Sequence, residues 1–142
     1  MGRCCRGGAL IEFALVAPLL ILILFGLIAF STAIYAYTTM QSVTADTVRR
    51  MTTGTITSFS GSSVTCGTGA ALTANTAENY ACSKMPTWGS YSVTASQNCA
   101  NLNDTVTITA NASTIALGDA LGLLRGVVLT AQTIQMKEGT CP

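Results

Sequence analysis

The stretch that decides the fold is Gly7–Phe30, GGALIEFALVAPLLILILFGLIAF, a long apolar run with one carboxylate, Glu12, near its start. It is too long for an ordinary core strand and too apolar for a surface helix. No charged residue occurs from Phe13 to Ala45. A bilayer-crossing helix needs about 20 apolar residues, and Ala14–Ile34 meets that, with Leu19, Leu20, Ile21, Leu22, Ile23, Leu24 and Phe25 continuous. Pro18 and Gly26 lie inside the run; a proline in a lipid-embedded helix is tolerated, with a kink or local loosening.

Downstream, Ser31–Met51 is less apolar but keeps helical character. Tyr37, Met40, Thr44, Thr47 or Val48, and Met51 recur at spacings of three and four. Arg49 and Arg50 stand where cations suit a helix C-terminus, and Gly54 is a stop signal. The simplest reading is one helix from about Gly8 to Met51, roughly 65 Å long at 1.5 Å per residue. That is about twice a bilayer core, so its second half stands outside the membrane. A 20-residue span followed by a separate short helix is the alternative. Upstream, Met1–Gly7 is short and basic, with Arg3 and Arg6 its only charges, like the n-region of a secretion signal. Met-Gly before Cys4-Cys5 also suggests acylation, but Arg6 stands where the myristoylation pattern wants Ser or Thr.

Composition narrows the function classes. The chain has 142 residues, of which 49% are hydrophobic and 9% charged, with a net charge of +1 and no histidine. That is enough for one domain plus an anchor. It offers no basic field for nucleic acid and lacks the residue on which most hydrolytic triads and many zinc sites depend. No glycine-rich phosphate loop is present. We therefore expect no enzyme activity, no cofactor and no metal.

Of the six cysteines, Cys66, Cys82, Cys99 and Cys141 follow the apolar run in a Thr/Ser/Asn-rich segment. An even set without a CxxC pair points to disulfides and an oxidising compartment rather than to a four-cysteine metal site. Four cysteines allow three pairings; Cys66–Cys82 with Cys99–Cys141 is the one favoured. Cysteine usage also sets orientation, with the C-terminal part outside the cytoplasm, because the arginines flank the span evenly.

The rest of the chain reads as loop, then strand. Thr55–Trp88 is loop-rich, with a short strand expected near Thr55–Phe59 and a short helix over Ala70–Tyr80. Tyr91, Val93 and Ala95 alternate with Ser92, Thr94 and Ser96. Val106, Ile108 and Ala110 alternate with Thr105, Thr107 and Thr109. Val128, Thr130, Gln132, Ile134 and Met136 share one face of Val127–Lys137. Period-two alternation of this kind is a strand pattern. Asn101–Asp104 is the expected turn between the first two strands, and Thr114–Gly126 reads as a short helix or an apolar loop. Two glycosylation tripeptides, at Asn103 and Asn111, are present. The fold class is therefore α+β: a long N-terminal membrane-spanning helix and a small antiparallel, disulfide-tied sheet domain. The divisions are 1–7, 8–52 (spanning about 14–34) and 53–142.

At Gly7-Gly8-Ala9-Leu10-Ile11-Glu12-Phe13 the chain resembles a prepilin-type signal. RGGALIEFALVAPLLILILFGLIAF resembles, more narrowly, the TadE-like pseudopilins of tight-adherence (Flp-type) pilus systems. These begin with a basic leader and a glycine at the cleavage point. A glutamate at the fifth mature residue follows, then an aromatic, then an apolar helix with an early proline. Here Gly7 would end the leader, Gly8 would be the first mature residue, and Glu12 and Phe13 would be the assembly contact. The leader is very short for the family, and Cys4 and Cys5 within it have no counterpart in that pattern. Length favours a minor subunit over a bare major pilin or a large TadG-like member. The resemblance implies a single-pass subunit in the inner (cytoplasmic) membrane, its C-terminal domain periplasmic or extracellular, or placed in the pilus. Its implied partners are membrane lipid, a prepilin peptidase, other pilins or pseudopilins, and the pilus assembly platform. The competing readings are a secreted protein whose signal peptide is cut near Ala33 or Ala36, and a surface adhesin domain on a permanent anchor.

Overall fold

The structure, a computed structural model, describes residues 6–66, 75–87, 89–98, 103–111 and 127–136. Helix α1 spans Arg6–Thr52 without interruption, 47 residues with Pro18 inside, or about 70 Å. Its end is a glycine-stopped turn. Gly54 has φ +73; its N–H donates to the Met51 carbonyl at 3.1 Å and that of Thr55 to the Arg50 carbonyl at 3.0 Å. These two bonds absorb carbonyls the helix leaves open, and the positive φ is where glycine costs least.

Four strands follow: β1 (Val64–Cys66), β2 (Tyr91–Asn98), β3 (Asn103–Asn111) and β4 (Val128–Met136), with helix α2 (Ala77–Lys84) between β1 and β2. They form one antiparallel sheet in the order β1-β2-β3-β4. The register puts Val93 opposite Ile108 and Ala95 opposite Val106, then Ile108 opposite Ala131. All of these are buried. The opposite face carries Ser92, Thr94, Thr107, Thr109, Thr130 and Gln132, as period-two alternation requires.

The upper half of α1 closes the core. Ala36, Met40, Val43, Thr44, Thr47, Val48 and Met51 are all buried, and their spacing marks one helical stripe. The stripe packs against β3, β4 and α2. Thr44 and Thr47 are admitted to it because each hydroxyl donates back to the helix, Thr44 to the Gln41 carbonyl at 2.8 Å and Thr47 to that of Val43 at 2.7 Å. Thr133 then donates to the Thr44 hydroxyl at 3.0 Å, tying β4 to the helix.

Several expectations are adjusted. Tyr37 lies off the core stripe and is 37% exposed; Ala36 and Val43 take its place. The first strand is Val64–Cys66, not Thr55–Phe59. The earlier segment makes one bridge, Ser58 to Thr76, because after Gly54 it runs past the start of α2 rather than along the sheet. Helix α2 begins after Thr76, whose hydroxyl accepts the Asn79 N–H at 3.3 Å, an N-cap that sets the start later than Ala70. Strand β3 starts at Asn103, so Asn103 and Asp104 belong to the strand rather than to the turn. The cysteine pair Cys66–Cys82 is formed, with Cα–Cα 5.3 Å, and fastens α2 to β1. The leader residues Met1–Cys5, the pair Cys99–Cys141 and the segment Thr114–Gly126 lie outside the described residues.

Candidate functional site

From Gly8 to Ile34, α1 buries no side chain against the other described residues. Leu10, Ile11, Phe13, Leu15, Leu19, Leu27 and Phe30 are each more than 60% exposed. A helix apolar on every side and bare is stable only where something apolar surrounds it. By length and composition it suits a bilayer crossing. The core stripe begins at Ala36, where the bare part ends. One helix is thus divided into two halves with different solvents.

Glu12 stands on the exposed surface of the bare half, beside Phe13, which is 71% exposed. Among the described residues no cation pairs with it; the ion pair seen there is Arg50–Asp46 at 3.3 Å. A carboxylate carried into an apolar medium is costly unless it is paired. Gly7 is helical. At Gly8 an added Cβ would meet nothing within 4 Å, and the same holds at Gly26. Neither position needs glycine for this chain's own packing. Glycine costs an exposed helix about 1 kcal/mol relative to alanine. The structure therefore places Gly7, Gly8, Glu12 and Phe13 on two adjacent turns of α1, with Gly8, Glu12 and Phe13 exposed.

A second cluster, on the folded domain, was not read from the sequence. Tyr80 of α2 donates its hydroxyl to the Asp46 carboxylate, and Arg50 Nε donates to the same oxygen at 3.3 Å. The Arg50 guanidinium sits 4.5 Å and Lys84 Nζ 5.8 Å from the Tyr80 ring centroid. The Tyr80 hydrogen bond holds the Asp46 carboxyl below its usual range, while the same bond holds the Tyr80 phenol above its own. This clasp joins α1 to α2. The pair Asp46 and Arg50, four apart on a helix, was visible in sequence; its junction with Tyr80 was not. Glu78 is fully buried, and its Oε1 accepts the Ser60 N–H at 2.8 Å. Among the described residues no group of three His, Cys, Asp or Glu side chains is placed to hold a metal ion.

No curated protein and no solved structure matches the chain. Residues 7–49 match the family model described as TadE-like protein. The match opens at Gly7, covers Glu12 and the whole bare half, and runs through the core stripe as far as Arg49. Over residues 7–49, most of its N-terminal helix, the chain is similar to TadE-like proteins.

Proposed function

We propose that this protein is a minor pilin or pseudopilin, a membrane-anchored structural subunit for biogenesis of an adhesive Flp-type pilus. The observation that carries the reading is Glu12: the one carboxylate on a bare apolar helix, without an intrachain partner among the described residues, inside a TadE-like match. In this reading a prepilin peptidase cuts between Gly7 and Gly8. The new α-amine of Gly8 then stands about 6 Å from Glu12 along the helix. Carboxylate and ammonium neutralise each other between neighbouring subunits and set their stagger, with Phe13 packed beside them. The helix anchors the subunit in the inner (cytoplasmic) membrane in a single pass. The sheet domain lies on the far side, where Cys66–Cys82 oxidises. The partners are other pilins or pseudopilins and the assembly platform. The role is structural rather than catalytic.

Cleavage near Ala33 or Ala36 fits less well, because it would cut a continuous helix at the lower end of the core stripe, where Ala36 is fully buried. Mass spectrometry of the mature protein tests the reading: the N-terminus is expected at Gly8. A start near Ile34 or Tyr37 would make it an ordinary secreted protein, and an intact Met1 a plain anchor. Glu12→Ala is expected to insert in the membrane normally and to fail in assembly.

A further inference from the structure

The height of the sheet on the helix can be read from two contacts. Thr133 of β4 touches Thr44 of α1, and farther along, Gln135 and Met136 line one cavity with Thr52 and Thr53. Strand β4 therefore climbs in the same direction as α1, away from the bare half. Val128 lies five residues below Thr133, about 17 Å at a strand's rise. Allowing for the inclination of strand to helix, that drop is about 13–17 Å along α1 and ends level with Ala33 to Tyr35. A crossing of about 20 residues that starts at Phe13, the first residue past Glu12, ends at the same level. Tyr91, at the lower end of β2, agrees. It pairs with Ala110, and its phenol is pushed up chiefly by burial and secondarily by Tyr35.

The lower end of the sheet has the chemistry of a surface that meets lipid. Val127 is 42% and Val128 57% exposed, and on the helix at that level Tyr35 is 59% exposed. Tyrosines at such a position are the usual interfacial anchors of a span. Strands β2, β3 and β4 contain one charged residue, Asp104, and it pairs with Gln135 at the upper end. The other charges described on the domain, Asp46, Arg49, Arg50, Glu78 and Lys84, belong to α1 from Asp46 upward and to α2. Asp104 and the charges of α1 thus lie away from the bare helix, whereas α2 is tied through Cys82 to Cys66, opposite Tyr91; among the described residues at the lower end, Val127 and Val128 are exposed and Asn111 pairs with Val128.

We propose that the sheet end bearing Val127 and Val128, with Tyr35 and Tyr37 of α1, is a second membrane contact that seats the domain on the boundary between lipid headgroups and acyl chains. The contact is continuous with the crossing itself and rests on the reading of α1 as a membrane anchor. It fixes the domain upright, with Met136 about 26 Å above Val128, so that Ile134, Met136 and the Asp46–Tyr80 clasp face the aqueous side.

Single-tryptophan variants of the full chain test this in phosphatidylcholine vesicles, with Trp88→Phe as background. Tryptophan is placed at Leu22, Val128 or Met136, and formation of Cys66–Cys82 is checked for each by non-reducing mass spectrometry. Lipids brominated deep in the acyl chain report the crossing; lipids brominated near the headgroup report the interface. Leu22→Trp is expected to be quenched by deep bromines. Val128→Trp is expected to lose about half its fluorescence to shallow ones, the depth at which interfacial aromatics sit, and Met136→Trp essentially none. Quenching of Leu22→Trp with Val128→Trp no more affected than Met136→Trp would overturn the second contact while leaving the anchor standing. Equal quenching at Val128 and Met136 would also overturn it, by laying the domain flat. Unquenched Leu22→Trp would remove the anchor and the contact with it. Protection of Val128→Trp that depends on protein concentration, without lipid quenching, would assign the surface to a second copy instead. Val127→Trp serves if the Val128 variant does not form the disulfide.

Discussion

Tyr80 and Asp46 are joined by a hydrogen bond from phenol to carboxylate that bridges α2 and α1, and Arg50 and Lys84 stand against the same ring. Two consequences follow from the direction of the shifts. The Asp46 carboxyl is held below its usual range in the folded state, so the stabilisation is fully present above the ordinary carboxylate value. It is lost as pH falls through the lowered one. The Tyr80 phenol is held above its ordinary value of 10.0; the folded state keeps the proton longer, so stability falls as pH rises from there. Tyr80→Phe keeps the ring and removes the bond. Because the site is open to solvent, the loss at neutral pH is expected to stay under about 1 kcal/mol. The difference from wild type should shrink at both acid and alkaline extremes. Thermal melting across pH measures both limbs.

The core stripe of α1 makes the domain dependent on its helix. Met40 is fully buried, and Met40→Ala is expected to cost about 2–5 kcal/mol of domain stability. Leu22→Ala, on the bare half, is expected to leave domain melting in detergent unchanged. Expressed alone, residues 53–142 lack Met40, Val43, Val48 and Met51. They are expected to show no cooperative transition by calorimetry, whereas 36–142 should show one.

Glu78 holds the loop after α1 against α2 through the Ser60 N–H. Its place in the first turn of α2 suits a negative charge. Glu78→Ala removes the carboxylate that accepts this part-buried hydrogen bond and is expected to cost about 1–3 kcal/mol. Glu78→Gln keeps an acceptor oxygen and should cost distinctly less. Chemical denaturation of the two variants side by side gives the comparison.

The Cys66–Cys82 bridge closes a loop of sequence separation 16. The double substitution Cys66→Ser/Cys82→Ser is expected to cost about 3 kcal/mol, by the chain-entropy estimate for loops of this size. Peptide mapping under non-reducing conditions is expected to recover this bridge and a second one, Cys99–Cys141. Asn98 and Met136, the described residues nearest those cysteines in sequence, both pair with Asn103 at the upper end of the sheet.

Gly89 has φ +113, and a Cβ there would come within 3.2 Å of the Tyr91 ring. Gly89→Ala therefore meets an unfavourable backbone and a fully buried ring together. The expected cost is about 1–3 kcal/mol, read as a fall in melting temperature.

Much of this architecture was legible because each element is governed by a local rule. The run from Phe13 to Ala45 has no charge, so a long helix was the reading that suited it. The alternation through Tyr91–Ser96 and Thr105–Ala110 placed two strands to within a few residues. Glu12 was legible as a lone carboxylate in apolar surroundings. What escaped was decided by contacts distant in sequence. Thr55–Phe59 has strand composition, yet Gly54 turns the chain toward α2, and Val64–Cys66 takes the sheet edge instead. Tyr37 fits the apolar period as well as Ala36 does; which of the two faces inward depends on where the sheet lands. Tyr80 belongs to an unremarkable polar segment until α2 is brought against Asp46.

Strand β4 and the upper half of α1 lie side by side and point the same way, joined at Thr44–Thr133 and along the buried stripe. A pull on the lower helix is delivered along that seam rather than across one end of it. The seam is then loaded in shear. All of its contacts resist together, whereas peeling would break them one by one. A single continuous helix therefore transmits tension from the bilayer directly into the middle of the folded domain, with no linker to act as the weak point.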